Sequence, residues 1–189
     1  DDGIIPDIIT VAKSLSGGYL PLGAAVYTKE IAEVMAAGHG GPLTGHTYTG
    51  HTACLAAGVA VQRIIREEAL LARIQDKGPR WQAELRARLA HLPEVGDVRG
   101  RGYFIGVELV ADPETKAPFD ASLGVNGRIR AEGLRRGLIC YPSGGHVDGA
   151  AGDTVILAPP FNASDAELDE IADKLVATIE AVVAGLRAA

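Results

Sequence analysis

The period of the apolar positions changes several times along this chain. Ile8 to Ala12 is a short, β-branched apolar run, the pattern of a strand covered on both faces. It runs into the glycine-rich stretch Ser14-Leu15-Ser16-Gly17-Gly18-Tyr19-Leu20-Pro21-Leu22-Gly23, and a second apolar run, Ala24 to Tyr27, follows. Thr28 is placed to cap a short helix ending near Gly38. Residues 38–51 form a Gly/His/Thr loop, and a long Ala-rich helix opens near Thr52. Its first half (Ala53, Ala56, Ala57, Gly58, Ala60) has side chains small enough for close packing, and its second half carries charge along one side.

From about residue 78 the texture differs. Pro79 suits the first turn of a helix, and Trp81, Leu85, Leu89 and Leu92 fall on one face of it. Val95 to Arg99 and Tyr103 to Val110 read as strands joined by a Gly-Arg-Gly corner. A helix over roughly 122–136 ends at Gly137, and Leu138 to Tyr141 and Thr154 to Leu157 read as further strands. Ser164 and Glu167 form a capping box. The helix they open sets Leu168, Ile171, Leu175, Ile179, Val182 and Leu186 on one stripe. The fold class is α/β, with this second part a compact α+β unit.

At 189 residues and 47% hydrophobic content, the chain can bury one good core or two small ones. A net charge of −6 without a basic block gives no nucleic-acid footprint. No apolar run approaches the ~18 residues of a membrane span. The stretch Asp1-Asp2-Gly3-Ile4-Ile5-Pro6-Asp7 is too acidic for a secretory signal and reads like the middle of a protein. Cys54 and Cys140 lie far apart and form no Cys-x-x-Cys pair, so they read as small buried side chains in a reducing, cytoplasmic setting.

Two places could carry chemistry. Lys13 ends a buried-type strand and faces a glycine-rich loop, where α/β proteins place ligands. An amine that attacks an aldehyde must be neutral, and desolvation beside apolar neighbours favours that form. The bland alternative is a solvated surface lysine. In Gly45-His46-Thr47-Tyr48-Thr49-Gly50-His51, glycines flank hydroxyls just before a helix, so backbone N–H and O–H donors could meet a phosphate. The bland reading there is a polar loop with a threonine cap. Gly100-Arg101-Gly102-Tyr103-Phe104-Ile105-Gly106 imitates a dinucleotide fingerprint, but its last spacing is one residue too long and a strand follows it, so a tight turn is expected. His46 and His51 sit five apart on a loop and do not make a zinc motif.

Pro6 through Lys13 to Ala24 resembles the lysine segment of class III aminotransferases, fold type I enzymes that use pyridoxal 5'-phosphate. Gly45 to His51 is similar to the loop that, in the ω-amino acid:pyruvate branch, crosses a homodimer interface. Val98-Arg99-Gly100-Arg101-Gly102, Gly106-Val107-Glu108-Leu109, Gly152-Asp153 and Ala158-Pro159-Pro160-Phe161 look like small-domain landmarks of that family. The resemblance implies the end of the large cofactor-binding domain over 1–62, followed by the interdomain helix and small domain over 63–189. It implies that Lys13 forms the Schiff base and shuttles the proton, and that Thr47 binds the phosphate of the partner subunit's cofactor. His46 would give its backbone N–H to the same phosphate.

The resemblance also implies transamination from an amine or amino acid to an oxo acid such as pyruvate. A same-fold decarboxylase or racemase, and a non-catalytic fragment, stay open. The family's carboxylate partner of the pyridine nitrogen, stacking aromatic and phosphate cup all lie N-terminal to such a segment. The chain therefore reads as part of a longer protein, inactive by itself. Many relatives carry a substrate-pairing arginine three residues before the Gly-Asp; here Gly149 occupies that place, and neither it nor His146 supplies a bidentate guanidinium.

Overall fold

The computed structural model describes residues 3–42 and 44–188. The backbone contacts divide the chain into two compact units, Asp1–Ala69 and Leu70–Ala189. The division expected at 62/63 lies inside a continuous helix, and the contacts separate after Ala69, a non-glycine residue at φ 50°.

In the first unit, β1 (Ile8–Val11) and β2 (Ala24–Tyr27) form an antiparallel pair, with Ile8 opposite Tyr27 and Val11 opposite Ala24. The expected cover on both faces of β1 is not supplied by this chain, since all four residues are exposed. Thr28 precedes α1 (Lys29–His39) at the N-cap, though its side chain makes no capping bond. Gly40 ends that helix in the left-handed region, its N–H bonding the carbonyl of Met35. The Ala-rich helix is α2 (Thr52–Glu67), and the side chain at its N-cap, His51, makes no capping bond.

The second unit holds the core. Strands β3 (Val95–Arg101), β4 (Phe104–Leu109), β5 (Tyr141–Val147) and β6 (Ala151–Leu157) make an antiparallel sheet in the order β3-β4-β6-β5. Period-two alternation aims Val98, Ile105, Val107, Leu109, Val155 and Leu157 into one core. Helices α3 (Leu70–Leu89), α4 (Val125–Arg135) and α5 (Asp165–Arg187) contribute Trp81, Leu85, Leu89, Ile129, Leu168, Leu175 and Ile179 to it. The opposite sheet face carries Phe104 and Tyr141, both well exposed, and the Arg99–Glu108 ion pair.

The stripe expected on α5 is present, with Ile171 and Leu186 at its half-buried margins. Its capping box is formed in both directions, Glu167 N–H to Ser164 Oγ and Ser164 N–H to the Glu167 carboxylate. Gly100-Arg101-Gly102 is a hairpin corner, with Arg101 opposite Phe104 and Gly102 at φ 58°.

Two element boundaries also differ from expectation. Pro79 does not start a helix but lies within α3, which begins at Leu70. Leu70, Ile74, Gly78, Trp81, Leu85 and Leu89 form one buried stripe, and that packing outweighs the hydrogen bond a helix-interior proline forfeits. A Cβ on Gly78 would come within 2.6 Å of the Gly102 backbone, so the glycine lets α3 cross the hairpin corner closely. The strand expected over Leu138–Tyr141 instead begins at Tyr141 and continues through Gly144-Gly145-His146-Val147, with a register irregularity between Gly144 and Val147. Among the described residues, no helix is long and apolar enough to cross a membrane.

Candidate cofactor-anchoring site

Lys13 lies one residue beyond β1, after Ala12, and opens a single 3₁₀ turn, Lys13–Ser16. Its φ of 52° is left-handed, a conformation that costs an L-residue roughly 1–2 kcal/mol. Bonds on either side hold the turn: Leu15 N–H to Ala12 O at 3.2 Å, Gly17 N–H to Ser14 O at 2.9 Å and Tyr19 N–H to Ser16 O at 3.2 Å. Gly17, at φ 64°, then reverses the chain. The Lys13 side chain is exposed, so the apolar cover expected around it does not come from this chain.

The turn is fastened below. Ser16 Oγ–H donates to the carbonyl of Leu20, and Gln62 Nε2 on α2 donates to the carbonyl of Leu15 at 3.3 Å. Gly58 of α2 faces Leu22, whose methyl would lie 2.5 Å from an added Cβ, and Val61 packs against Gly17. Sequence reasoning missed Ser16 and Gln62. Neither belongs to a periodic pattern, and the glycines beside Ser16 draw attention to the loop rather than to its hydroxyl.

Residues 45–51 lead into α2. The His46 N–H, expected to be free for a phosphate, donates instead to Thr49 Oγ1 at 3.0 Å, and Thr49 N–H returns to His46 O at 2.9 Å. The Tyr48 and His51 rings meet edge to face with centroids 6.2 Å apart. Thr47 makes no hydrogen bond among the described residues. Thr47 to Ala53 line an open hollow of about 460 Å³ at the start of α2, whose first turn has no acidic residue. Orphan N–H groups at such a start favour an anion. Among the described residues, no hydrogen bond, ion pair or ring contact joins Lys13 to this loop, and no group of three or more His, Cys, Asp or Glu could hold a metal.

A lysine amine near a strand end, an unengaged threonine hydroxyl and a helix start without a side-chain cap are the kinds of group that bind an aldehyde-bearing phosphate ester. Comparison with known proteins names the class. Residues 1–179 match the family model Aminotransferase class-III, and the chain belongs to that family. An aminotransferase of Gibberella zeae is 39% identical over 186 residues, covering 98% of this chain and 36% of that protein. The crystal structure of a transaminase from the marine bacterium Virgibacillus superposes with a TM-score of 0.89 at 31% identity, covering 97% of this chain and 41% of that one. A PLP-bound mutant aminotransferase from Vibrio fluvialis superposes at 0.86 with 31% identity, over 96% of this chain and 39% of that one. The fold is thus the corresponding part of the fold type I transaminases, and the chain spans about two-fifths of the length of these relatives.

Proposed function

We propose that this chain is the lysine-bearing portion of a pyridoxal 5'-phosphate-dependent transaminase that moves an amino group from an amine or amino acid to an oxo acid such as pyruvate. The first unit would belong to the large cofactor-binding domain and the second would be the small domain. The observation that carries the reading is the left-handed Lys13 at the end of β1, within a chain that matches the class III family almost throughout.

When bound, the cofactor supplies an aldehyde for amines and a ring that withdraws electrons from the substrate carbon. Lys13 Nζ would hold the cofactor's aldehyde group and, as a free amine, would move the proton at the substrate carbon. Thr47 Oγ1 would donate to the phosphate of the partner subunit's cofactor in a homodimer. The His46 N–H can join it only by leaving Thr49 Oγ1. Glycine at 149 also has a backbone reason. Asp148 at φ 53° and Gly149 at φ 74°, with Ala150 N–H on Val147 O at 3.1 Å, form the left-handed pair of a type I′ turn. An arginine there would be strained, so carboxylate recognition is assigned elsewhere.

The reading is tested by giving the full-length holoprotein a panel of amines and amino acids with pyruvate. Alanine formation that depends on the donor supports it; carbon dioxide release or racemisation without alanine contradicts it.

A further inference from the structure

Among the described residues of the first unit, only Ser16 and Gly58 are buried, and both lie where the Lys13 turn meets α2. Among its described residues, this unit is therefore most tightly packed beneath its candidate catalytic lysine. Three linkages converge there. Ser16, 0% exposed, closes the loop on the Leu20 carbonyl from within. Gln62 reaches from α2 to the Leu15 carbonyl. Gly58 has no Cβ, so Leu22 can seat against the helix. Lys13 lies two residues before Leu15 and three before Ser16, in a backbone conformation it would not hold unaided.

We propose that Ser16 and Gln62 are positioning residues for Lys13, forming a clamp that fixes the 3₁₀ turn on α2 and so holds the amine at the end of β1. They act on the lysine through the backbone and touch neither cofactor nor substrate. The proposal rests on Lys13 being the cofactor lysine. Ser16 supplies an internal brace that a methyl cannot replace, and Gln62 supplies an N–H donor that a carboxylate of equal length cannot. Because α2 also begins at the 45–51 loop, the clamp ties the lysine turn to the same rod that carries the candidate phosphate donors.

The experiment uses full-length holoprotein carrying Ser16→Ala, Gln62→Glu or Gln62→Lys, the last keeping a donor. Three readouts are taken: borohydride labelling of Lys13, the pH midpoint of the bound cofactor's visible absorbance, and kcat against KM. In Ser16→Ala and Gln62→Glu the label stays on Lys13, while the absorbance midpoint moves and kcat falls about three- to tenfold, the weight of one hydrogen bond. KM changes less, and Gln62→Lys recovers at least half of the loss. Unchanged midpoint and kcat in both variants, or no recovery in Gln62→Lys, overturns the clamp. If Ser16→Ala does not fold, the exposed Gln62 pair decides alone. A label absent from Lys13 in the unsubstituted protein refutes instead the cofactor assignment on which the clamp depends.

Discussion

One carboxylate oxygen of Asp153 on β6 accepts from both the backbone N–H of Asn126, at 3.0 Å, and its side-chain Nδ2, at 2.8 Å. Asp153 is 6% exposed, and Asn126 lies in the first turn of α4, so a strand residue caps a helix that has no side-chain cap of its own. A Cβ at Gly144, opposite Asp153 in the sheet, would collide with that Asn126 amide, which explains the glycine inside β5. Asp153→Ala leaves a half-buried N–H without its acceptor and should destabilise the second unit by about 1–3 kcal/mol. Asp153→Asn, which keeps an oxygen, should cost less. Urea unfolding followed by the fluorescence of Trp81, the chain's single tryptophan and 1% exposed, measures both.

Acid should loosen the same unit through Glu132. Hydrogen bonding from Arg135 first, and then from Arg136, lowers its carboxyl from 4.5 to about 2. Because the folded value lies below the unfolded one, the stabilisation is complete above about pH 4.5 and is lost as pH falls towards 2. Glu94 is shifted the same way, chiefly by the Arg187 guanidinium that bonds it at 2.6 and 2.7 Å. Urea midpoints measured across this window should decline less steeply with acid in Glu132→Gln than in the unsubstituted chain; identical slopes would remove Glu132 from the account.

The two units differ in what they bury, and protease should report it. The first buries Ser16 and Gly58 among its described residues, whereas the second surrounds Trp81, Leu85, Ile105, Ile129 and Leu175. Cleavage of the isolated chain should begin before Leu70 and leave a resistant core over about 70–188. A first unit that outlasts the second would contradict the burial pattern.

Much of this was legible in the sequence because local signals and tertiary packing agreed. The α5 stripe, its capping box and the Gly100–Gly102 corner each specify one conformation. The failures occurred where a local signal was outvoted. Pro79 marks a helix start in isolation, yet the Leu70-Ile74-Gly78 stripe extends α3 through it. The strand expected to end at Tyr141 runs on through Gly144, whose missing Cβ leaves room for the Asn126 amide. At the candidate site, Lys13 and the 45–51 loop were legible as motifs. Their fastening was not, since Ser16 bonds a carbonyl four residues on and Gln62 reaches back 47 residues, and no pattern encodes a backbone acceptor.

Thr47 can be tested through the partner subunit. A hydroxyl bond to a phosphate dianion is worth about 1.5–3 kcal/mol, so Thr47→Ala should weaken cofactor retention roughly ten- to a hundredfold. Mixing Lys13→Ala with Thr47→Ala subunits of the full-length protein should restore one intact site per mixed dimer. No recovery on mixing would count against a phosphate contact made across the interface.

The central claim is that Lys13 holds the cofactor. Borohydride reduction of the full-length holoprotein, followed by peptide mapping, should place a pyridoxyl group on Lys13, and Lys13→Ala should abolish both the label and turnover without unfolding the protein. A label on Lys29, Lys77, Lys116 or Lys174 instead, or full retention of the label in Lys13→Ala, would contradict it.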